Sequence, residues 1–328
     1  MKLVMGASGF LGSHVVKELV DRGEQIRVML RETSPTVGID GLDVERVYGD
    51  IADPAAVRKA MEGVDDVFYC VVDTRAWLRD PAPLFRTNVE ALRGVLDVAV
   101  EAGLNRFVFT SSVTTLARND DRPVTEDDAH NWLEKGGAYV RSRMQAERLV
   151  LDYARNRDLP AVVLCVSNTY GANDHVPTPH GQLVKAASRG KIRWYIKGAA
   201  SEVVGIRSAA QALVLAAEKG RVGERYAITE RYLSMREMFD LAAVEGGHPP
   251  LRVGIPYPVI YAAGALGELV GRLTRTDQRL TRTSARLMTI YTPVDHSKAV
   301  VELGWDPAPT PVELKEQVAF FNRPRGLS

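Results

Sequence analysis

Three glycines at a fixed spacing mark the first place where chemistry could occur. In Gly6-Ala7-Ser8-Gly9-Phe10-Leu11-Gly12 they recur as G-x-x-G-x-x-G, directly after the apolar run "KLVM" and at the head of a helical stretch. Gly6 permits a tight turn, Gly9 lets backbone approach a phosphate, and Gly12 lets a helix pack close to a strand. The free N–H groups and dipole of that helix favour an anion. Gly6, Ser8, Gly9, Phe10, Leu11 and Gly12 are therefore the expected cradle of a dinucleotide pyrophosphate. Glycines also serve plain turns, but the strand before and the helix after favour the cradle.

The end of the second apolar run decides which dinucleotide is expected. Sites for NAD usually place an acid there to hold the ribose 2′-hydroxyl. Here the run ends "VMLRETS", with Arg31 at the tip. A guanidinium can pair with a 2′-phosphate through paired hydrogen bonds, so NADP(H) is expected ahead of NAD(H). Glu32 is the competing residue, since one step of register would bring it to an NAD ribose. Asp50, in "GDIAD", resembles the acid that meets the adenine in dinucleotide-binding proteins of this pattern, and it reads equally as a cap for the helix that begins at Pro54.

These residues need a scaffold, and the first half of the chain supplies one. Short, strongly apolar runs alternate with amphipathic stretches: "KLVM", then 10–21; "QIRVMLR"; "VERVYGD", then 54–62; "VDDVFYCVVD", then 82–102; "RFVFTSS"; a long helix from Tyr139 to Arg157; "PAVVLCVS". That rhythm predicts an α/β fold, a Rossmann-type doubly wound parallel sheet covered on both faces. "VVGIRSAAQALVLAAE" (203–218) and "ERYAIT" read as elements returning to that sheet. Residues 1–169 and 203–229 are expected to form the cofactor domain. Residues 170–202 and 230–328 are expected to form a smaller, mostly helical substrate-binding cap, placed where a cleft belongs.

Bulk properties narrow the function classes. The 328 residues are 45% hydrophobic and 25% charged, an ordinary balance for a globular protein, and the net charge of +1 gives no reason to expect nucleic acid. Cys70 and Cys165 each lie in an apolar run, which suits a reducing compartment, and no secretory signal pattern opens the chain; a cytoplasmic location is expected. The stretch 255–273 is apolar but interrupted by Pro256, Pro258, Glu268 and Arg272; it reads as a buried helix lining a pocket, and membrane contact is not expected. None of the six histidines has a metal-ligand spacing, so no metal is expected. Arg272, Arg275, Arg279, Arg282 and Arg286 recur every three or four residues and read as one solvated helical face.

The glycine turn, "GDIADP", "FRTNVEAL", "RFVFTSSVTTL", "YVRSRMQAE" and "DHSKAVVELGWDP" together resemble, in that order, the extended short-chain dehydrogenases/reductases. The resemblance covers nearly the whole chain. It is closest to the dihydroflavonol 4-reductase-like and hopanoid-associated sugar epimerase-like branch, through "DTRAWLRDPAPLFRTNVEAL" and "HVPTPHG".

The resemblance implies a working set of Ser or Thr, Tyr and Lys. Ser112 matches the hydroxyl that orients a carbonyl, and Tyr139 matches the proton donor. Arg143 stands where the family has the lysine that binds the nicotinamide ribose and favours phenolate. Arginine is a cation, but its planar fork is differently aimed and it does not relay a proton. Tyr139 and Arg143 count as cofactor contacts as well as catalytic residues. Ile51, beside Asp50, and Val71, ending the fourth apolar run, complete the expected cofactor contacts. Asp73, Thr114, Asn168 and His175 are the expected substrate contacts.

Two further departures from the branch lie on the substrate side. In the run 165–171, Val166 stands where the proline of Asn-Pro-x-x-x-x-Gly is usual, and Gly205-Ile206-Arg207-Ser208-Ala209 replaces His-Val-Asp-Asp-Val. The expected activity is NADP(H)-dependent reduction of a ketone or aldehyde of a small organic substrate. Two readings stay open beside it: an epimerase, dehydratase, isomerase or cyclase that retains its cofactor, and a non-catalytic NADP-binding scaffold. The resemblance also raises a homodimer built from the 82–102 and Tyr139 helices.

Overall fold

The computed structural model describes residues 1–288 and 292–323. Seven parallel strands form the central sheet: β1 (Lys2–Met5), β2 (Ile26–Leu30), β3 (Glu45–Tyr48), β4 (Asp66–Tyr69), β5 (Arg106–Ser112), β6 (Ala161–Val166) and, at the far edge, the strand Arg225–Ile228. In space they run Arg225–Ile228, β6, β5, β4, β1, β2, β3. The order reverses between β1 and β4, which opens a crevice at the carboxyl ends of those two strands.

The apolar strands follow from burial on both faces. Leu3, Met5, Val67, Phe107 and Phe109 point to one core, while Val4, Phe68, Val108 and Leu164 point to the other. The first core is closed by helices α2 (Pro54–Met61) and α4 (Leu92–Ala102), the latter preceded by α3 (Ala82–Phe85) and a π-helical turn (Arg86–Ala91), and by α5 (Leu133–Asn156). The second is closed by α1 (Phe10–Asp21) and the later helix Ile206–Lys219.

Helix α5 is fixed to the sheet by a buried carboxylate. Glu147 accepts from Ser111 Oγ at 2.5 Å and Thr115 Oγ1 at 2.6 Å, and forms an ion pair with Arg225 at 2.9 Å.

Beyond β6 the chain builds the cap. It contains β7 (Asn168–Tyr170), α6 (Pro179–Ser188), β8 (Trp194–Ile196), β9 (Ala200–Gly205), α7 (Ile206–Lys219), β10 (Arg225–Ile228), β11 (Arg231–Ser234), α8 (Met235–Glu245), β12 (Val253–Ile255), α9 (Tyr257–Thr274), α10 (Arg282–Leu287), α11 (Ser297–Leu303) and α12 (Thr310–Asn322). Of these, α7 and β10 return to the central sheet, and α11 packs on them, with Ala299 and Leu303 in the second core. The strand at 200–205 does not: β9 pairs with β7 and β11 in a separate three-stranded sheet, because β10 already occupies the edge beside β6.

Two expectations about the cap are corrected. The apolar 255–273 stretch is helical but largely exposed, with only Ile260, Gly264 and Gly271 of α9 buried. The arginines do not share one helical face. α9 ends at Thr274, Arg275 caps it in the left-handed conformation at φ 56°, and a new helix begins only at Arg282, behind a capping box of Thr281 and Ser284.

Strand β9 is tied down by Glu202, which is buried and accepts from the hydroxyl of Thr229 and from the Val294 amide, the latter at 2.8 Å. Burial pushes its carboxyl up to about 7 from an ordinary 4.5, outweighing those hydrogen bonds. A value raised in the folded state stabilises most below the unfolded value, and that contribution is lost as pH rises through the folded one. Glu202→Gln should therefore flatten the stability profile between about pH 5 and 8 and raise the melting temperature at the alkaline end. Thermal melts across that range check this; an unchanged profile contradicts it.

Candidate active site

The glycine turn is built as a cradle. Gly6 has φ +85°, and a side chain there would meet the Cys70 carbonyl at 2.9 Å and the Val71 amide at 3.0 Å. A Cβ on Gly12 would lie 2.2 Å from Gly6 O, so helix α1 can approach β1 only with glycine there. Gly9 is different. It is exposed, its φ of −80° suits any residue, and a Cβ would come no closer than 3.2 Å to Gly6 O. Its bareness leaves the approach to the amino end of α1 open.

Ser8 and Phe10 flank Gly9, and Leu11 packs inward on the core. Phe10 O accepts from Ser13 Oγ at 3.0 Å, and His14 Nδ1 lies 2.9 Å from it. Burial pushes the His14 imidazole down to about 4, so it is neutral near pH 7 and adds no charge to the turn.

Around this turn stand the remaining cofactor candidates. Arg31 follows β2 and is exposed, forming no ion pair among the described residues, and its backbone is held in a turn with Ser34. Asp50 Oδ1 accepts from the Ala52 amide at 2.9 Å. The helix cap considered for Asp50 belongs instead to Asp53, which accepts from the Ala55 amide and immediately precedes Pro54. Ile51 and Val71 are half-buried against the core.

Of the reacting groups expected from the sequence, Ser112 and Arg143 lie at the carboxyl end of β5, while Tyr139 lies on the helix that covers it. Ser112 ends β5, directly beside Val166 of β6. Its hydroxyl oxygen accepts from Thr114 N–H at 3.2 Å and from Thr114 Oγ1 at 3.0 Å, which leaves its own proton available to another acceptor. Thr114 is buried, so it orients Ser112. Tyr139 lies one turn before Arg143 on α5 and packs beside Trp132, Met144 and Leu287.

The helix is kinked just before it, at Gly137, with φ 71°. A Cβ there would meet Thr283 at 2.6 Å, so the glycine lets α10 of the cap close on the helix that carries Tyr139.

Arg143 is only 1% exposed. One nitrogen, Nη2, donates to Thr110 O at 2.5 Å, and the guanidinium lies 5.2 Å from the Phe109 ring centre. Nε and Nη1 are buried with no partner, and no ion pair reaches the group among the described residues. The neighbouring Tyr69 hydroxyl is likewise buried and unpartnered. Burial, only partly opposed by the Arg143 charge, drives the Tyr69 phenol well above its ordinary value and keeps it neutral. Unpaired buried donors are costly, so this pair of side chains fits a polar ligand such as a ribose. The glycine cradle and these orphaned donors together fit a dinucleotide.

Asn88 is a positioning residue that motif reading does not single out. It sits in the π-helical turn and is 1% exposed. Its Oδ1 accepts from the Asp73 amide at 2.8 Å, and its Nδ2 donates to Asp73 O at 3.0 Å and to Ser142 Oγ at 3.1 Å. Ser142 Oγ donates in turn to Tyr139 O at 2.8 Å. The loop after β4 is thereby tied to the turn of α5 that bears Tyr139. The only hint in the sequence was an amide inside "FRTNVEAL", whose partners lie far along the chain.

The substrate candidates do not all converge. Asp73 is gripped by Arg75 at 2.5 Å; burial works against its charge, but the hydrogen bonds and charge of Arg75 win and hold its carboxyl below the ordinary value. Asn168 is half-buried at the start of β7. His175 is exposed and packs edge-on against Phe320 of α12, 5.1 Å away.

The replaced run at 205–209 has a structural cause. Gly205 offers α7 no side-chain cap, and Glu313 of α12 supplies one, accepting from the Arg207 amide at 3.0 Å and lying 3.4 Å from Ser208 Oγ. A Cβ on residue 205 would sit 1.9 Å from Glu313 Oε1.

Comparison with known proteins agrees with this fold. Residues 2–229 match the NAD dependent epimerase/dehydratase family. The chain belongs to that family. It is 30% identical to the sterol demethylase protein B of Methylococcus capsulatus, over 99% of each chain. It is 28% identical to a putative dihydroflavonol 4-reductase of Synechocystis, over 97% of this chain and 93% of that one. The crystal structure of gox2253 superposes with a TM-score of 0.87 at 30% identity, covering 98% of this chain and 97% of the other. The extended short-chain dehydrogenase/reductase resemblance and the parallel Rossmann-type sheet therefore both stand.

The two glycines should separate binding from folding. Gly9→Val is expected to weaken dinucleotide binding by roughly tenfold or more, about 1.4 kcal/mol, with little change in melting temperature. Gly12→Val is expected to lower the melting temperature itself. Fluorescence titration alongside thermal melts distinguishes them; equal effects on both quantities would refute the division.

Proposed function

We propose that this protein is an NADP(H)-dependent reductase of a small carbonyl compound, a ketone or aldehyde. The observation that carries the reading is the Arg143 guanidinium, buried at the ends of β4 and β5 with Nε and Nη1 unpartnered. A buried cation left without partners is strongly unfavourable unless a ligand completes its hydrogen bonds. The similarity to a protein named as a dihydroflavonol 4-reductase supports carbonyl reduction.

In this reading Gly6 to Gly12 receive the pyrophosphate, and Arg31 pairs with the 2′-phosphate. Asp50, Ile51 and Val71 line the adenosine side, and Nε and Nη1 of Arg143 hold the ribose next to the nicotinamide. When bound, the dinucleotide supplies the hydride that the reduction requires. Ser112 directs its free proton at the substrate carbonyl oxygen. Tyr139 delivers a proton to that oxygen as general acid. Arg143 holds a fixed positive charge one helical turn away and shuttles no proton itself. Asn88 and Ser142 keep the Tyr139 turn in place. In this reading Asn168 is the substrate-side contact, and Thr114 acts through Ser112.

Two measurements test this. Titration of cofactor-free protein should show tighter binding of NADPH than of NADH, and Arg31→Ser should remove the preference while leaving NADH affinity unchanged. Preference for NADH in the unmodified protein would overturn the assignment of Arg31.

With a carbonyl substrate in hand, Tyr139→Phe should lower kcat/KM by about 10²–10⁴-fold while leaving NADPH affinity intact. Full activity in that variant would remove Tyr139 from the mechanism. Substrate turnover without net NADPH consumption would replace the reductase reading with one of closed-cycle chemistry.

A further inference from the structure

Helix α9 is inside out for a helix of a globular protein. At roughly 100° per residue, Val259, Ala263, Leu266, Leu269, Val270 and Leu273 project to one side, while Ile260, Gly264 and Gly271 project to the other. The side that packs on the protein is largely glycine. A Cβ on Gly264 would meet the Thr281 carbonyl at 2.7 Å, and one on Gly267 would meet Leu280 O at 2.2 Å, so the following segment lies flat against a bare helix surface. The side facing out is aliphatic and uninterrupted by charge. Val259 is 55% exposed, Leu266 62%, Leu269 51% and Leu273 76%. An amphipathic helix of a globular protein normally buries that stripe. A contiguous exposed apolar stripe of this kind marks an interaction surface.

The rim of the stripe is basic. Arg272 and Arg275 are exposed at the end of α9 and form no ion pair among the described residues. Arg279 follows, but it is turned back onto the protein: Nη1 donates to Gln182 Oε1 at 2.6 Å and the guanidinium lies 5.7 Å from the ring centre of Trp77, which leaves Arg272 and Arg275 as the basic rim. Two acids lie nearby: Glu268 is engaged by Arg282 at 2.7 Å, and Asp277, between Arg275 and Arg279, accepts from the Arg79 amide at 2.9 Å. In a chain of net charge +1 this is a local concentration of one sign. It selects among occupants. A second copy would bring an identical basic rim, whereas an anionic lipid surface brings the complementary charge.

We propose that α9 docks this protein on the surface of an anionic bilayer. The helix lies in the membrane plane with Leu266, Leu269 and Leu273 among the upper acyl chains, and Arg272 and Arg275 extend to the phosphate level. The contact is one-sided, and no described helix is long and apolar enough to cross. This departs from the expectation drawn from the sequence, where the prolines and charges of 255–273 pointed to a buried helix.

The test is co-sedimentation of the full chain with vesicles of phosphatidylcholine containing phosphatidylglycerol, and with vesicles of phosphatidylcholine alone. The unmodified protein should pellet with the anionic vesicles and far less with the neutral ones. The triple variant Leu266→Ser, Leu269→Ser, Leu273→Ser should lose at least tenfold in partitioning, as should Arg272→Gln combined with Arg275→Gln. Size-exclusion elution and melting temperature unchanged from the parent show that the variants remain folded.

Protein left in the supernatant with anionic vesicles overturns the proposal. So does equal pelleting of the triple serine variant. A dimer in solution that the serine variant dissociates, without vesicle binding by the parent, assigns the face to a second copy instead.

Discussion

Two charges one helical turn apart, Arg143 and Glu147, are pressed against the sheet by α5, and the rest of the site follows from how differently they are satisfied. Glu147 is saturated by Ser111, Thr115 and Arg225, which belong to β5, the loop after it and β10. That cluster fixes the rotation and height of α5 on the sheet, and so fixes where every other residue of the helix points. Arg143, one turn earlier, has a single hydrogen bond, to Thr110 O. Its remaining donors, Nε and Nη1, are buried without partners. Replacement of the family lysine by arginine thus has a physical setting. The flat group is accommodated against the Phe109 ring, which a compact ammonium would use less well.

The same helix couples the cap to the sheet. Its first turn is broken at Gly137 so that Thr283 of α10 can approach, and Asn88 clamps the next turn to the loop after β4. Tyr139 therefore sits between an element of the cap and an element of the sheet. Movement of α10 would reach it directly. On the other side, the cap is stitched to α7 by Glu313, which fills the space that Gly205 leaves and caps a helix otherwise lacking a side-chain cap. The two substrate-side departures are thus unlike. At Gly205 the change is absorbed by a compensating acid from α12, while at Val166 the strand simply runs on to its end beside Ser112.

The hairpin of α9 and α10 shows what small residues can do to polarity. Glycines at 264, 267 and 271 let the 276–282 segment lie on backbone, so the aliphatic residues of α9 have no interior to enter. Packing through glycine leaves the apolar side free, and the arginines that follow are spread along the hairpin edge, with Arg282 and Arg286 turned back toward Glu268 and Tyr261.

The sequence by itself determined the parallel sheet, since "AVVLCV" of β6 is apolar at every position and "FVF" of β5 at three in succession, and only a strand buried on both faces needs such unbroken runs. It also determined the glycine cradle, because Gly6 and Gly12 are steric requirements of a local turn and of the helix it starts. What is set within ten residues can be read within ten residues. Tertiary structure alone decided the rest. Asn88 meets Ser142 and Glu313 meets Gly205 across long stretches of chain, and no periodicity encodes such pairs. Whether the apolar 255–273 helix faced inward or outward depended on which side its neighbour chose, and the glycines that made that choice look, in one dimension, like any others.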